Sequence, residues 1–322
     1  MKRFTRALFF LLSMVSLRLH CEPEIRYPAK VEAGSPVRII FYSKTPVKGL
    51  SAELTTSANY VIAGNNGFPF ETNTTDNSSL WIVFIGLPST ILPGEYRLTL
   101  HAAETSGSNA TYQYKLEVNP RSFTEETVYL NESMTSLRQK PDPKKIEEAK
   151  KLNEILTTFN IGAVYQTGAY ILPLMNPRES AGFGDRRIYV YTNGEKERTT
   201  HTGVDLAAAS GTPVAAGGAG KVVFAGNRIM TGKTVVLEHA PGIFSLYFHM
   251  EALSVKEGDE VLQGQVIGTV GTTGLATGPH LHWEIRVGGV AVEPKYFLGD
   301  ALLDKDNILS SIQALTNKDE GG

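Results

Sequence analysis

Cysteine occurs once in these 322 residues, at Cys21. No intramolecular disulfide can staple the fold, so its stability has to come from buried apolar surface. That source is ample, because 42% of the residues are hydrophobic and a chain of this length divides into more than one core. Also missing is any apolar run of about 20 residues, the length that a membrane-spanning helix needs. There is no lysine- or arginine-rich stretch and the formal net charge is −2, which leaves out the phosphate-binding footprint of a nucleic-acid partner.

Two look-alike motifs fail for want of one residue each. Thr231-Gly-Lys-Thr234 resembles the end of a phosphate-binding loop, but Asn227 stands where the first glycine of that loop belongs, so a hairpin turn is expected. The stretch from 255 to 268 resembles the hairpins of lipoyl and biotinyl carrier domains, yet no lysine sits at an exposed tip to carry the group.

What the chain does hold is a concentration of histidine. Five of its seven histidines fall between 201 and 282, and four of them occupy three motifs: His201-Thr-Gly-Val-Asp205, Tyr247-Phe-His249 and His280-Leu-His282. Alternate residues of a strand share a face. His280 and His282 can therefore reach one point from the strand-like run that continues Trp-Glu-Ile-Arg-Val287, and the same rule predicts that Tyr247 and His249 share a face. Thr202, Gly203 and Val204 are poor helix formers, so His201 to Asp205 reads as a loop entering a strand. His239 and His101 match no ligand position and are expected to be structural.

A catalytic zinc ion takes three protein ligands from imidazole nitrogen and carboxylate oxygen and keeps a fourth position for water. Two of these histidines and one aspartate meet that need. The remaining two can then take a proton from the water or stabilise an oxyanion. Imidazole also suits copper, nickel and iron, so the donor types alone leave the metal open.

The three motifs together resemble those of the lysostaphin-like (LytM-type) zinc endopeptidases, which cut the peptide cross-links of bacterial peptidoglycan. The resemblance extends over roughly residues 170–300. It includes Ser180-Ala-Gly-Phe-Gly-Asp-Arg186, Gly211-Thr-Pro-Val-Ala-Ala216 and Gly271-Thr-Thr-Gly-Leu-Ala-Thr-Gly-Pro279. It implies zinc held by His201, Asp205 and His282, with His249 and His280 as the catalytic pair. It also implies peptidoglycan peptides as substrate, either a direct D-Ala to diamino-acid cross-link, which is favoured, or a glycine-rich bridge. Every motif position is intact, which separates this chain from relatives that have lost ligands and act as non-hydrolytic regulators, the alternative reading.

The remaining segments complete a mainly β expectation. Residues 1–21 have the basic start and short apolar core of a signal peptide. Export to a periplasm or cell envelope follows, with Cys21 either the last residue of a removed signal or a lipidated first residue. The large residues before it, Leu17-Arg-Leu-His20, favour removal. Residues 22–120 carry short β-branched and aromatic runs between turn formers, as expected of an immunoglobulin-like β-sandwich that could meet a cell-envelope protein partner. Residues 121–165 are expected to be a helical linker with one helix capped by Asp142 and Pro143. Residues 166–300 are the expected metallopeptidase domain, an antiparallel β-sheet with lipoyl-like hairpins. Residues 301–322 form a C-terminal helix and tail in this reading.

Overall fold

The computed structural model describes residues 22–72 and 78–299 and, near the C-terminus, 301, 303, 304, 307, 308 and 310. The expected signal peptide with Cys21, and most of the expected C-terminal helix and tail over 301–322, lie outside the described residues.

Eight strands build the N-terminal region: β1 (Glu24–Arg26), β2 (Lys30–Glu32), β3 (Pro36–Ser43), β4 (Val47–Thr55), β5 (Val61–Thr72), β6 (Ser79–Gly86), β7 (Gly94–Glu104) and β8 (Asn109–Asn119). They run in the order β1-β3-β6-β5-β4-β7-β8-β2. Long β5 belongs to two ladders, its residues 61–66 pairing with β4 and 67–72 with β6. It thereby turns one ribbon into two layers. Alternation places Ile39 and Phe41 of β3 and Trp81, Val83 and Ile85 of β6 against Leu50, Leu54, Leu98, Leu100 and Leu116 in one core.

β6 is buried at all eight positions, which a one-sided sheet would not require. The cause is a second neighbour. Leu80, Ile82 and Phe84 on its other face join the core of the C-terminal region, with Val287 and Val292. Polar contacts reinforce the seam: Arg121 bonds Glu293 at 2.6 Å and the Ala33 carbonyl at 3.1 Å.

The connector departs from the expected single helix. It begins with a strand, β9 (Glu125–Tyr129), followed by two helices, α1 (Glu132–Gln139) and α2 (Pro143–Leu156). β9 escaped notice because its partner lies some sixty residues on. The start of α2 is as expected, with Asp142 accepting from the Lys144 amide at 2.9 Å. Leu152, Ile155 and Leu156 of α2 pack on Val236, Phe244, Leu246 and Phe248.

The C-terminal region holds β10 (Arg178–Ala181), β11 (Arg186–Val190), β12 (Lys196–Thr200), β13 (Val204–Ala207), β14 (Pro213–Ala215), β15 (Gly220–Arg228), β16 (Gly232–Ala240), β17 (Ile243–Leu253), β18 (Glu260–Val261), β19 (Val266–Val270), β20 (His280–Val287) and β21 (Val290–Val292), then the short helix α3 (Tyr296–Gly299). Its main sheet is antiparallel, in the order β10-β13-β20-β17-β16-β15-β18 with β14, β19 and β21 attached. A separate sheet, β12-β11-β9, ties the connector to this region through a parallel pair.

Candidate metal centre

Residues directly opposite in an antiparallel pair lie about 5 Å apart. β13 and β20 oppose Asp205 to His282, and β17 and β20 oppose Phe248 to His282. The Phe248 ring stacks on the His282 imidazole, 5.2 Å between centroids and 4° between planes. His201 arrives from the loop before β13, held by its amide on the Asp185 carbonyl and by its carbonyl on the Gly184 amide, each at 2.8 Å. Gly203 lets this loop close on β20. A Cβ there would stand 2.4 Å from the Trp283 carbonyl oxygen and 2.8 Å from His282 Nε2.

Three buried atoms converge as a result. His282 Nδ1 is 2.8 Å from Asp205 Oδ1, His201 Nε2 is 3.1 Å from the same oxygen, and the two nitrogens are 2.9 Å apart. Their outward nitrogens decide what the inward ones carry. His201 Nδ1 meets the Gly182 carbonyl at 2.6 Å, and a carbonyl can only accept, so the proton of the neutral ring is on Nδ1 and the lone pair on Nε2. His282 Nε2 meets Glu284 Oε1 at 2.9 Å, which puts the lone pair of its neutral ring on Nδ1. Two lone pairs and a carboxylate oxygen facing one point fit a divalent cation, and the outward bonds are those that orient metal-binding histidines.

The charges agree with that fit. Asp205 stays well below the usual carboxylate range: burial opposes its ionised form, and His201 and His282 outweigh burial. Its other oxygen accepts from Arg187 at 2.6 Å. Burial also acts against a charged His282, but Asp205 and Glu284 prevail and raise it to about 9. The spot beside Nδ1 thus draws positive charge, whether as a proton or as a metal ion, and the two compete. Glu284 is itself held at about 2, where burial is overcome chiefly by Arg286 and His282.

His249 and His280 stand beside this trio, their rings 4.9 Å apart. His249 Nδ1 meets the Thr273 carbonyl and His280 Nδ1 the Gly278 carbonyl, each at 2.8 Å, so both rings present Nε2 as an acceptor. His280 Nε2 is 3.6 Å from Asp205 Oδ1. Burial, and then the neighbouring His280 and His282, lower His249 to about 3.

The expectation that Tyr247 and His249 share a face is overturned. Between Tyr247 and Met250, β17 carries an extra residue relative to β16, and His249 has φ 61°. This bulge turns Phe248 and His249 both toward the cavity and leaves Tyr247 in the core, where its hydroxyl accepts from the Gly217 amide at 2.8 Å. A left-handed backbone at a histidine costs about 1–3 kcal/mol and recurs at functional sites.

The five residues singled out from sequence line one cavity of about 340 Å3. Others lining it escaped the sequence reading: Arg187, Arg228, Glu284 and Arg286, and from the connector Glu126, Met134, Arg138 and Leu152. Glu126 of β9 stands 3.1 Å from Arg187, so the connector props the arginine that holds Asp205. Glu284 could have been found, since it continues the two-residue spacing of His280 and His282. Chemically, the arrangement can polarise a water, take its proton and stabilise an anion.

Comparison with known proteins bears on this chemistry. Residues 199–294 match the model of peptidase family M23. The DD-carboxypeptidase/endopeptidase Mpg of Neisseria meningitidis serogroup B is 43% identical over 127 residues, 39% of this chain and 28% of that protein. The peptidoglycan DD-endopeptidase ShyC of Vibrio cholerae is 39% identical over 123 residues, 38% of this chain and 28% of that protein. The match therefore spans little more than a quarter of the length of these curated relatives. A crystal structure from Pseudomonas aeruginosa, assigned to peptidase M23, shares the fold over 84% of this chain and 95% of its own, with a TM-score of 0.53 and 23% identity.

Proposed function

From its peptidase family M23 domain, carried by residues 199–294, we propose that this chain is an exported, zinc-dependent endopeptidase that hydrolyses peptide cross-links of bacterial peptidoglycan. The observation that carries the reading is the convergence of His201 Nε2, Asp205 Oδ1 and His282 Nδ1 within 2.8–3.1 Å, beside a cavity also lined by His249 and His280. The names of the Neisseria and Vibrio relatives support a peptidoglycan substrate. The intact set of five favours hydrolysis over the non-hydrolytic regulator. Residues 1–21 carry the proposal of a periplasmic or cell-envelope location, and the N-terminal strands offer the surface for an envelope partner.

Zinc bound by His201, Asp205 and His282 would lower the pKa of a water to about 7 and draw charge from the scissile carbonyl. Arg187 and Glu284 hold Asp205 and His282 in place for it. His249 and His280 offer two Nε2 lone pairs, one to receive the proton of the water. Once protonated, that imidazolium can donate to the oxyanion and then to the leaving amine.

The test is to incubate the zinc-loaded chain, and its His282→Ala variant, with purified peptidoglycan and identify the released fragments by mass spectrometry. Cleaved cross-links from the first and none from the second are expected. Intact peptidoglycan from both, with zinc shown to be bound in the first, would sink the hydrolytic reading.

A further inference from the structure

Four arginines line the cavity: Arg138, Arg187, Arg228 and Arg286. Three are neutralised by carboxylates. Arg138 meets Glu197 at 2.8 Å, Arg187 meets Asp205 at 2.6 Å, and Arg286 meets Glu284 at 2.7 Å. Arg228 is the exception: among the described residues no carboxylate oxygen lies within 4.0 Å of its guanidinium. It is only 8% exposed. Its bonds go to two neutral oxygens, Thr231 Oγ1 at 3.1 Å and the Glu148 carbonyl at 3.3 Å. The rest of its five N–H groups find no acceptor among the described residues. Burial pushes its pKa down, against the more distant carboxylates of Glu148 and Glu284, and a mostly buried guanidinium that touches no carboxylate favours an anionic ligand.

Its position joins it to the reaction centre. Arg228 ends β15 and bonds the side chain of Thr231, whose carbonyl accepts the His249 amide at 2.9 Å. An anion on this guanidinium would share the cavity with the groups that act on the scissile bond. The planar fork of an arginine suits a carboxylate, which it can bind through two parallel hydrogen bonds.

Resting on the hydrolytic reading above, we infer that Arg228 sets substrate specificity by binding a free carboxylate on the carbon that bears the scissile nitrogen. A cross-link from D-alanine to a diamino dicarboxylic acid carries such a carboxylate. A glycine bridge does not, because there the next carbonyl is itself a neutral amide. Arg228 therefore selects the direct cross-link.

The test measures binding by calorimetric titration, not turnover. The zinc-loaded full chain, Arg228→Gln and Arg228→Lys are each titrated with N-acetyl-D-Ala-D-Ala and with its C-terminal carboxamide. The unaltered chain should prefer the carboxylate by about tenfold or more, Arg228→Gln should lose that preference, and Arg228→Lys should keep part of it. Matching zinc content and melting temperature show that the variants fold; if Arg228→Gln does not, a reduced preference in Arg228→Lys supports the inference and an unchanged one overturns it. Equal binding of both probes by the unaltered chain, or binding of neither, overturns it. So does a preference that survives in Arg228→Gln, which would place the carboxylate on zinc. Equal weakening of both probes would mean that Arg228 only props Thr231. Failure to cut peptidoglycan would refute hydrolysis and leave this measurement standing.

Discussion

His239 lies on one face of β16, β17 and β20 and His249, His280 and His282 on the other, and what their nitrogens meet sets the two faces apart. On the core face His239 Nδ1 donates to the Ala219 carbonyl at 2.7 Å, and Nε2 lies 2.6 Å from Ser245 Oγ, whose hydroxyl can donate to it. Ser245 is in turn 3.0 Å from the Tyr247 hydroxyl. Every atom in this relay has a neutral partner, and burial holds His239 at about 4. On the cavity face His282 is just as enclosed, yet it has a carboxylate at each nitrogen and is raised to about 9. Equal burial thus gives opposite appetites for charge. A buried histidine with one donor and one acceptor is finished; one between two carboxylates still needs a cation.

The sharpest way to break this comparison is to delete an imidazole from each face. His280→Ala and His249→Ala should retain zinc and melt close to the unaltered chain, while kcat falls about 10²–10⁴-fold. His239→Ala should do the reverse, lowering the melting temperature by stripping Ser245 Oγ and the Ala219 carbonyl of their buried partner. Turnover, bound zinc and thermal melting, measured on the three variants, decide it. Similar melting losses on both faces would erase the distinction.

A second contrast is in acid. The unfolded chain protonates His239 near 6.5, whereas the folded chain resists until about 4. Between those values the unfolded state binds the extra proton, so stability falls as the pH drops from 6.5 toward 4 and is unaffected above that window. The loss attributable to this ring is about 3 kcal/mol. His239→Gln removes the titration, so denaturant unfolding of the variant should depend less steeply on pH there, by about one proton. Identical slopes for the two proteins would show that His239 can charge without cost.

How far the sequence foretold each face follows from local regularity. β20 is a regular strand, so the two-residue spacing of His280 and His282 was sufficient to place both on one face, while Asp205 as their neighbour came from the family resemblance. The same rule failed in the neighbouring strand β17, just after Tyr247, because a bulge resets the alternation and leaves no mark in residue type. Trp81-Ile-Val-Phe-Ile85 was legible as a strand, but the burial of β6 on both faces depends on a partner two hundred residues away. β9 was missed for a similar reason: two of the five residues in Glu125-Glu-Thr-Val-Tyr129 are charged, and only pairing with β11 makes it a strand. Arg187 and Arg228 belong to no local pattern. The fold alone sets them apart, by bringing Asp205 within 2.6 Å of Arg187 and no carboxylate within 4.0 Å of Arg228 among the described residues.

The smallest expected effect tests whether the carboxylate behind His282 matters. Glu284→Gln keeps a carbonyl to accept from His282 Nε2 but removes the charge that makes the ring basic. Two consequences oppose each other at neutral pH. The ligand becomes weaker, yet fewer protons compete for Nδ1, because the raised value of about 9 falls back toward the ordinary one. Above about pH 9 the competition vanishes and only ligand strength remains. There the variant should bind zinc about 10–100-fold more weakly, in line with other losses of an outer-shell partner. The gap should narrow as the pH falls toward 7, since only the unaltered site has a proton to displace. Competition with a chromogenic zinc chelator across that range gives both numbers. A gap that stays constant with pH would mean that Glu284 merely packs beside the ring, and that the difference between the two faces has another origin.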